Sequence, residues 1–109
     1  MYNQTINKGK TIAIISYITW IGTLIAFIIN NEKQNSFASF HIKQMIGLSL
    51  FSLVNSFLIS PYASPFTTAV ISLGLFILWI IGLIGAIRGE AKKIPLFGDI
   101  FQDWFKNIA

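Results

Sequence analysis

Residues 66–87 read FTTAVISLGLFILWIIGLIGAI, twenty-two consecutive residues without a charge, preceded by Pro65 and stopped by Arg88. At about 1.5 Å of rise per residue, such a helix covers the roughly 30 Å of a bilayer's hydrocarbon core. Ser64 followed by Pro65 reads as an N-cap with proline at the first helical position, where its missing N–H costs nothing. The run therefore predicts a transmembrane helix, and it makes lipid the candidate solvent for the other apolar stretches.

Upstream, Pro61 ends a preceding helix because it cannot donate the next helical hydrogen bond and restrains the residue before it. The short connection Pro61-Tyr62-Ala63-Ser64 predicts a tight antiparallel hairpin. Its first arm, Phe37 to Ser60, opens with a polar turn or two carrying His41, Lys43 and Gln44 and is uncharged from Met45 onward, giving a span of about 44–60. Asn35 or Ser36 is the candidate N-cap. The uncharged part is short for a crossing, so its polar start belongs among headgroups or against protein. Still further upstream, Thr11 to Ile29 is a nineteen-residue uncharged run between Lys8, Lys10 and Asn30-Asn31-Glu32-Lys33, which predicts a first span at 11–29. A cleaved signal peptide would have a shorter apolar part ending in small residues, so this run is expected to be retained.

Downstream of Arg88, Phe97, Ile100, Phe101, Trp104, Phe105 and Ile108 recur at helical three-and-four spacing opposite Asp99, Gln102, Asp103, Lys106 and Asn107. This pattern predicts an amphipathic helix at about 98–108, too short and too polar on one side to span, lying at the headgroup boundary or docked on the bundle. Asp99 with Gln102 resembles a capping box.

Composition agrees. The chain has 109 residues, 11% of them charged and 54% hydrophobic, where a soluble domain carries about a quarter charged. With ten Phe and three Trp it holds more apolar surface than so small a domain could bury. The expected fold is an all-α membrane protein forming one domain over residues 1–109: three transmembrane helices, the second and third a tight hairpin, plus a C-terminal amphipathic interfacial helix. The formal charge of +4 sits in short clusters between apolar runs, which suits anionic lipid headgroups and not nucleic acid. Cysteine is absent and His41 is the single histidine, so no metal site is expected. No nucleophile–base set, phosphate-cradling glycine loop or pair of intramembrane acids can be assembled, so neither an enzyme nor a bound cofactor is expected. Asn3-Gln4-Thr5 matches a glycosylation sequon, a pattern with many chance matches.

With three crossings, Lys8 and Lys10 share one side, and Lys33, Lys43, Arg88, Lys92, Lys93 and Lys106 share the other. The positive-inside bias then places the C-terminus in the cytoplasm and the N-terminus outside. A first run that enters and leaves on one side would reverse the N-terminal placement.

Three groups of residues are candidates for function. His41, Gln44, Ser52, Asn55 and Ser56 fall within about 120° of one another on a helix, a polar stripe that either lines a hydrated cavity, meets a partner, or hydrogen-bonds neighbouring helices as ordinary membrane glue. Gly22 with Ala26, Gly82 with Ala86, and Gly85 with Gly89 are small-x-x-x-small pairs that let helices approach closely; packing of the first span on the third is the default reading and a homodimer contact the alternative. Arg88, Lys92, Lys93, Trp104 and Phe105 are candidate interfacial anchors.

Lys10–Ala26 (KTIAIISYITWIGTLIA), Phe37–Gly47 (FASFHIKQMIG) and Ile81–Glu90 (IGLIGAIRGE), with Ile94, Pro95, Leu96 and Gly98 after them, resemble a widespread bacterial group of small membrane proteins of unknown function. Its members are labelled import-component proteins for their similarity to the twenty-kilodalton subunit of the chloroplast inner-envelope translocon. The most specific pieces are Phe40-His41-x-x-Gln44 and the segment from Gly89 to Gly98. The resemblance implies a helical fold in the bacterial cytoplasmic membrane and a link to protein translocation. The expected function is thus a non-catalytic accessory subunit of a larger membrane complex, with the bilayer and other membrane-protein subunits as partners. The alternatives are a homo-oligomeric pore lined by Gln44, Ser52 and Asn55, and a lipid-domain or membrane-shape organiser acting through the C-terminal helix.

Overall fold

The computed structural model describes residues 3–91 and 93–108. The chain is all-α, with no strand among the described residues: α1 (Asn3–Ile18), α2 (Trp20–Lys33), α3 (Ser36–Val54) continued by a π-helical turn (Asn55–Ile59), α4 (Pro65–Ile87) and α5 (Gly98–Trp104). Of these, Ser36–Ile59 and Pro65–Ile87 have the length and apolarity to cross a membrane.

The structure departs from the three-span reading at its first member, because Thr11–Ile29 is not one helix. It breaks at Thr19, whose backbone is extended (φ −154°, ψ 177°) and whose hydroxyl caps α2 by accepting from the Gly22 N–H. Interrupting a helix strands the last carbonyls of the turn before the break, and within hydrocarbon such groups must find protein partners. They do: Ser16 O accepts from the Thr23 hydroxyl (2.7 Å) and Tyr17 O from Trp79 Nε1 of α4 (2.7 Å). Gly22 permits the fold-back, since a Cβ there would overlap the Ile15 carbonyl. α2 then runs antiparallel to α1 and returns the chain to where it began.

That return is pinned by two asparagines. Asn30 Oδ1 accepts the Asn35 N–H (3.0 Å) and Asn30 Nδ2 donates to Asn35 O (3.2 Å), across a turn in which Gln34 takes the left-handed conformation (φ 53°). Asn35 is the N-cap of α3, accepting from the Ala38 N–H, while its Nδ2 reaches Thr5 O near the start of α1 (2.8 Å). Gly9 leaves room for this approach, because a Cβ there would meet the Asn35 side chain.

α3 lies parallel to α1, so that Asn35 is level with Gly9 and Gln44 with Tyr17. The tight hairpin then sends α4 back, with Ser64 as N-cap and Pro65 in the first turn. α4 ends in a Schellman arrangement: Glu90 N–H bonds Gly85 O, Gly89 N–H bonds Ala86 O, and Gly89 has φ 73°, a conformation that disfavours a Cβ. Gly89 is therefore a helix terminator, and it also lies against Ile6 of α1, where a Cβ would come within 2.9 Å of the Ile6 side chain.

α5 is shorter than the 98–108 expected, and it docks. Phe101 is fully buried against Leu48 and Ile94, with its ring laid on Gly47 of α3, and Phe51 meets both Phe97 and Phe101 edge to face. The capping-box reading is corrected as well. Asp99 pairs with Lys93 (2.6 Å) and Gln102 Nε2 donates to Phe40 O (2.8 Å).

The molecule measures 47 × 23 × 23 Å and is uneven along its length. At 1.5 Å per residue α1 reaches about 24 Å, whereas α3 with its π turn reaches about 36 Å. One end is thus built from α1, α2, α5 and parts of α3 and α4, and the other from the α3–α4 hairpin alone. Phe57 (70% exposed), Phe66 (77%) and Leu73 (60%) show how far that hairpin presents apolar side chains outward.

Candidate functional site

The predicted polar stripe of α3 divides into two sites. At the wide end, His41 and Gln44 are fully buried with Tyr17 of α1. The His41 ring bridges helices: Nε2 lies 2.9 Å from Glu90 O, just past α4, and Nδ1 lies 2.7 Å from the Tyr17 hydroxyl. A carbonyl oxygen only accepts, so Nε2 carries the proton and Nδ1 accepts from Tyr17. The Tyr17 oxygen in turn accepts from Gln44 Nε2 (3.0 Å), and Gln44 Oε1 accepts the Ile94 N–H (2.8 Å). Donors and acceptors match around the whole circuit, and it joins α1, α3, the end of α4 and the segment entering α5. Phe37 and Phe40 close edge to face on His41, and Gly82 of α4 admits the Tyr17 ring, since a Cβ there would lie 2.8 Å from its hydroxyl.

At the narrow end, Ser52, Asn55 and Ser56 line a groove of about 630 Å³ between α3 with its π turn and α4. Asn55 is 4% exposed and donates from Nδ2 to Ser72 of α4 (2.9 Å), while its Oδ1 has no hydrogen-bond partner among the described residues. Leaving such a group unmatched costs about 1–3 kcal/mol. The π turn begins at this residue, and such widened turns recur at functional sites. Ser49 and Ser72 also line the groove, Trp20, Met45, Leu48, Leu53, Leu75, Phe76 and Trp79 make its apolar part, and no charged residue takes part.

The other predicted residues are placed as follows. Ala26 sits in the core with Ile12, Ala38 and Ile42, and Ala86 in the core with Ala13, Tyr17 and Phe37; Gly85 is also buried. Gly22 serves the α1–α2 fold-back and Gly82 the seat of Tyr17. Among the anchors, Arg88 and Trp104 are exposed, Lys93 is engaged with Asp99, and Phe105 tilts onto Phe101. Lys92 lies outside the described residues. Sequence reasoning missed Tyr17, Ser16, Thr19, Thr23, Ser72 and Trp79; the polar cluster Ser16-Tyr17-Thr19-Thr23 inside an apolar run was the available sign of the break.

The long apolar helices, the outward-facing hydrophobic surface and the helix break sealed by side chains define a class, the α-helical membrane proteins. Comparison with known proteins makes this specific. The chain is 34% identical over 94 residues to UPF0132 membrane protein MJ1443 of Methanocaldococcus jannaschii, an alignment covering 83% of this chain and 82% of that one. It is 32% identical over 93 residues to UPF0132 membrane protein MJ1527 of the same organism, covering 82% of this chain and 64% of the longer relative. A UPF0132 membrane protein of Archaeoglobus fulgidus is 29% identical over 105 residues, covering 93% of this chain and 99% of the relative. The chain belongs to the UPF0132 family of membrane proteins. These relatives are archaeal, and nothing links them to the chloroplast translocon subunit, which corrects the bacterial import-component resemblance and removes its support for a translocation role. No family model matches the chain, and no solved structure does.

Proposed function

We propose that this UPF0132 protein acts by binding and not by catalysis, as an integral, multi-pass accessory protein of a larger membrane assembly. The observation that carries the reading is the fate of its reactive side chains. Tyr17 and His41 are 0% exposed and spend their hydrogen bonds on Gln44, Glu90 O and each other, an arrangement suited to locking helices together and closed to a substrate. What the molecule offers outward is an apolar flank, the groove and the edge of α5, where Trp104 and Leu96 stand 63% and 85% exposed.

In the topology that goes with this reading, α3 and α4 cross the bilayer and the α1–α2 hairpin enters and leaves on one side. The start of α1, the α2–α3 turn and the end of α4 then share a face, and so do all eight Lys and Arg residues, because Gln44 to Ile87 carries no charge. Positive-inside bias makes that face cytoplasmic, reversing the N-terminal placement expected for three crossings. Purification in mild detergents should recover a stoichiometric membrane partner; an isolated monomer under several such conditions would defeat the proposal. The pore reading retains the hydroxyl-bearing groove in its favour, but Gln44 is sealed within the bundle, and a reconstituted protein is expected to conduct nothing.

A further inference from the structure

We propose that the groove between α3 and α4 is a binding site for an uncharged amphiphile, a long-chain alcohol or hydroxyl-bearing lipid, whose hydroxyl meets Asn55. The site goes beyond the accessory role and does not depend on it.

The orphaned amide comes first. Ser72 can satisfy one end of the Asn55 side chain, and whichever way the amide is oriented the other end is left over. A hydroxyl both donates and accepts, so it completes the amide in either orientation. An ammonium could serve only one of them, and an ionised carboxylate would arrive without a counter-charge, since no charged residue lines the groove.

The lining is also graded along its length. Four of its five polar residues, Ser52, Asn55, Ser56 and Ser72, gather toward the narrow end with Leu53 among them, and Ser49, Met45, Trp20 and Trp79 lie toward the middle of the molecule. Asn55 stands six residues before Pro61, about 9 Å along the axis from the connecting loop. A lipid in the leaflet on that side has the same polarity, with its polar group near the interface and its chain toward the midplane. The volume of about 630 Å³ falls in the range of roughly 300–1,000 Å³ typical of small-ligand sites and holds one chain. Among the described residues, Trp20 is the one member of the α1–α2 hairpin that lines the groove, so the end beside Asn55 is walled by α3, its π turn and α4 alone.

The tryptophans provide the test. Trp20 and Trp79 line the inner end of the groove while Trp104 lies on α5, so a Trp104→Phe background reports the groove alone. The full chain in phosphatidylcholine nanodiscs is titrated with ω-bromododecanol, with bromododecane and with ω-bromododecanoate, following fluorescence quenching by the terminal bromine. The alcohol is expected to quench saturably, and the alkane and carboxylate only in proportion to their partition into the bilayer. Asn55→Leu should weaken the alcohol about tenfold, the value of one hydrogen bond to a buried amide. Ser52→Phe, which leaves Asn55 intact and fills the groove, should abolish saturation. Equal, unsaturated quenching by all three probes overturns the proposal, as does saturation that neither variant alters. Cysteine cross-linking across the groove to a second copy or a partner helix, unaffected by the alcohol, would likewise overturn it by showing the groove occupied by protein.

Discussion

Tyr17 is the residue on which the wide end depends, and it illustrates how little of a membrane protein's polar design is visible one helix at a time. Its hydroxyl is acceptor for Gln44 and donor for His41, so Tyr17→Phe strips a partner from both. Each buried group left unmatched costs about 1–3 kcal/mol, and the variant should unfold at a clearly lower temperature in micelles. Combining Tyr17→Phe with His41→Leu should cost less than the two losses added, by about 0.5–3 kcal/mol, because both act on one network. Nitrogen-detected NMR of the imidazole should find the proton on Nε2, and a proton on Nδ1 instead would contradict the donor order. His41 and Gln44 were visible in the sequence as polar residues on one face of an apolar helix. Tyr17 was not, since an aromatic in an apolar run reads as lipid-facing until its neighbours are known.

Among the elements, the α3–α4 hairpin was legible because its signals are local: Asn35 and Ser64 as caps, Pro61 as a stop, Pro65 in a first turn, and an unbroken apolar run. The α1–α2 hairpin was hidden because hydropathy measures length and not continuity. Its break depends on Trp79, sixty-two residues away, accepting the role of partner to a stranded carbonyl. α5 was legible as amphipathic, but whether it lay on lipid or on protein depended on Gly47, whose missing side chain makes the seat for Phe101. Gly47→Leu should therefore eject that ring. Amide exchange at Phe101 and Gln102 is expected to accelerate strongly in this variant while α4 stays protected; unchanged exchange would mean that α5 is held elsewhere.

For the whole molecule, the distribution of charge and the fold-back of α1 and α2 make one joint prediction. The chain has no cysteine, so single-cysteine variants report topology without background. Asn7→Cys, near the start of α1, and Glu90→Cys, after α4, should react with an impermeant maleimide from the same side of sealed vesicles. Ala63→Cys, in the loop between α3 and α4, should react only from the other. Labelling of positions 7 and 90 from opposite sides would restore three crossings and remove the fold-back.

The loop at 60–64 has one more consequence. Ser60, Pro61, Tyr62, Ala63 and Ser64 bear no ions, and in the proposed topology they are nearly all that a nascent chain must push past the far leaflet. Every lysine, arginine, aspartate and glutamate stays on the side of synthesis, so insertion requires no ionised group to be dragged through oil, the step that ordinarily makes such passage expensive.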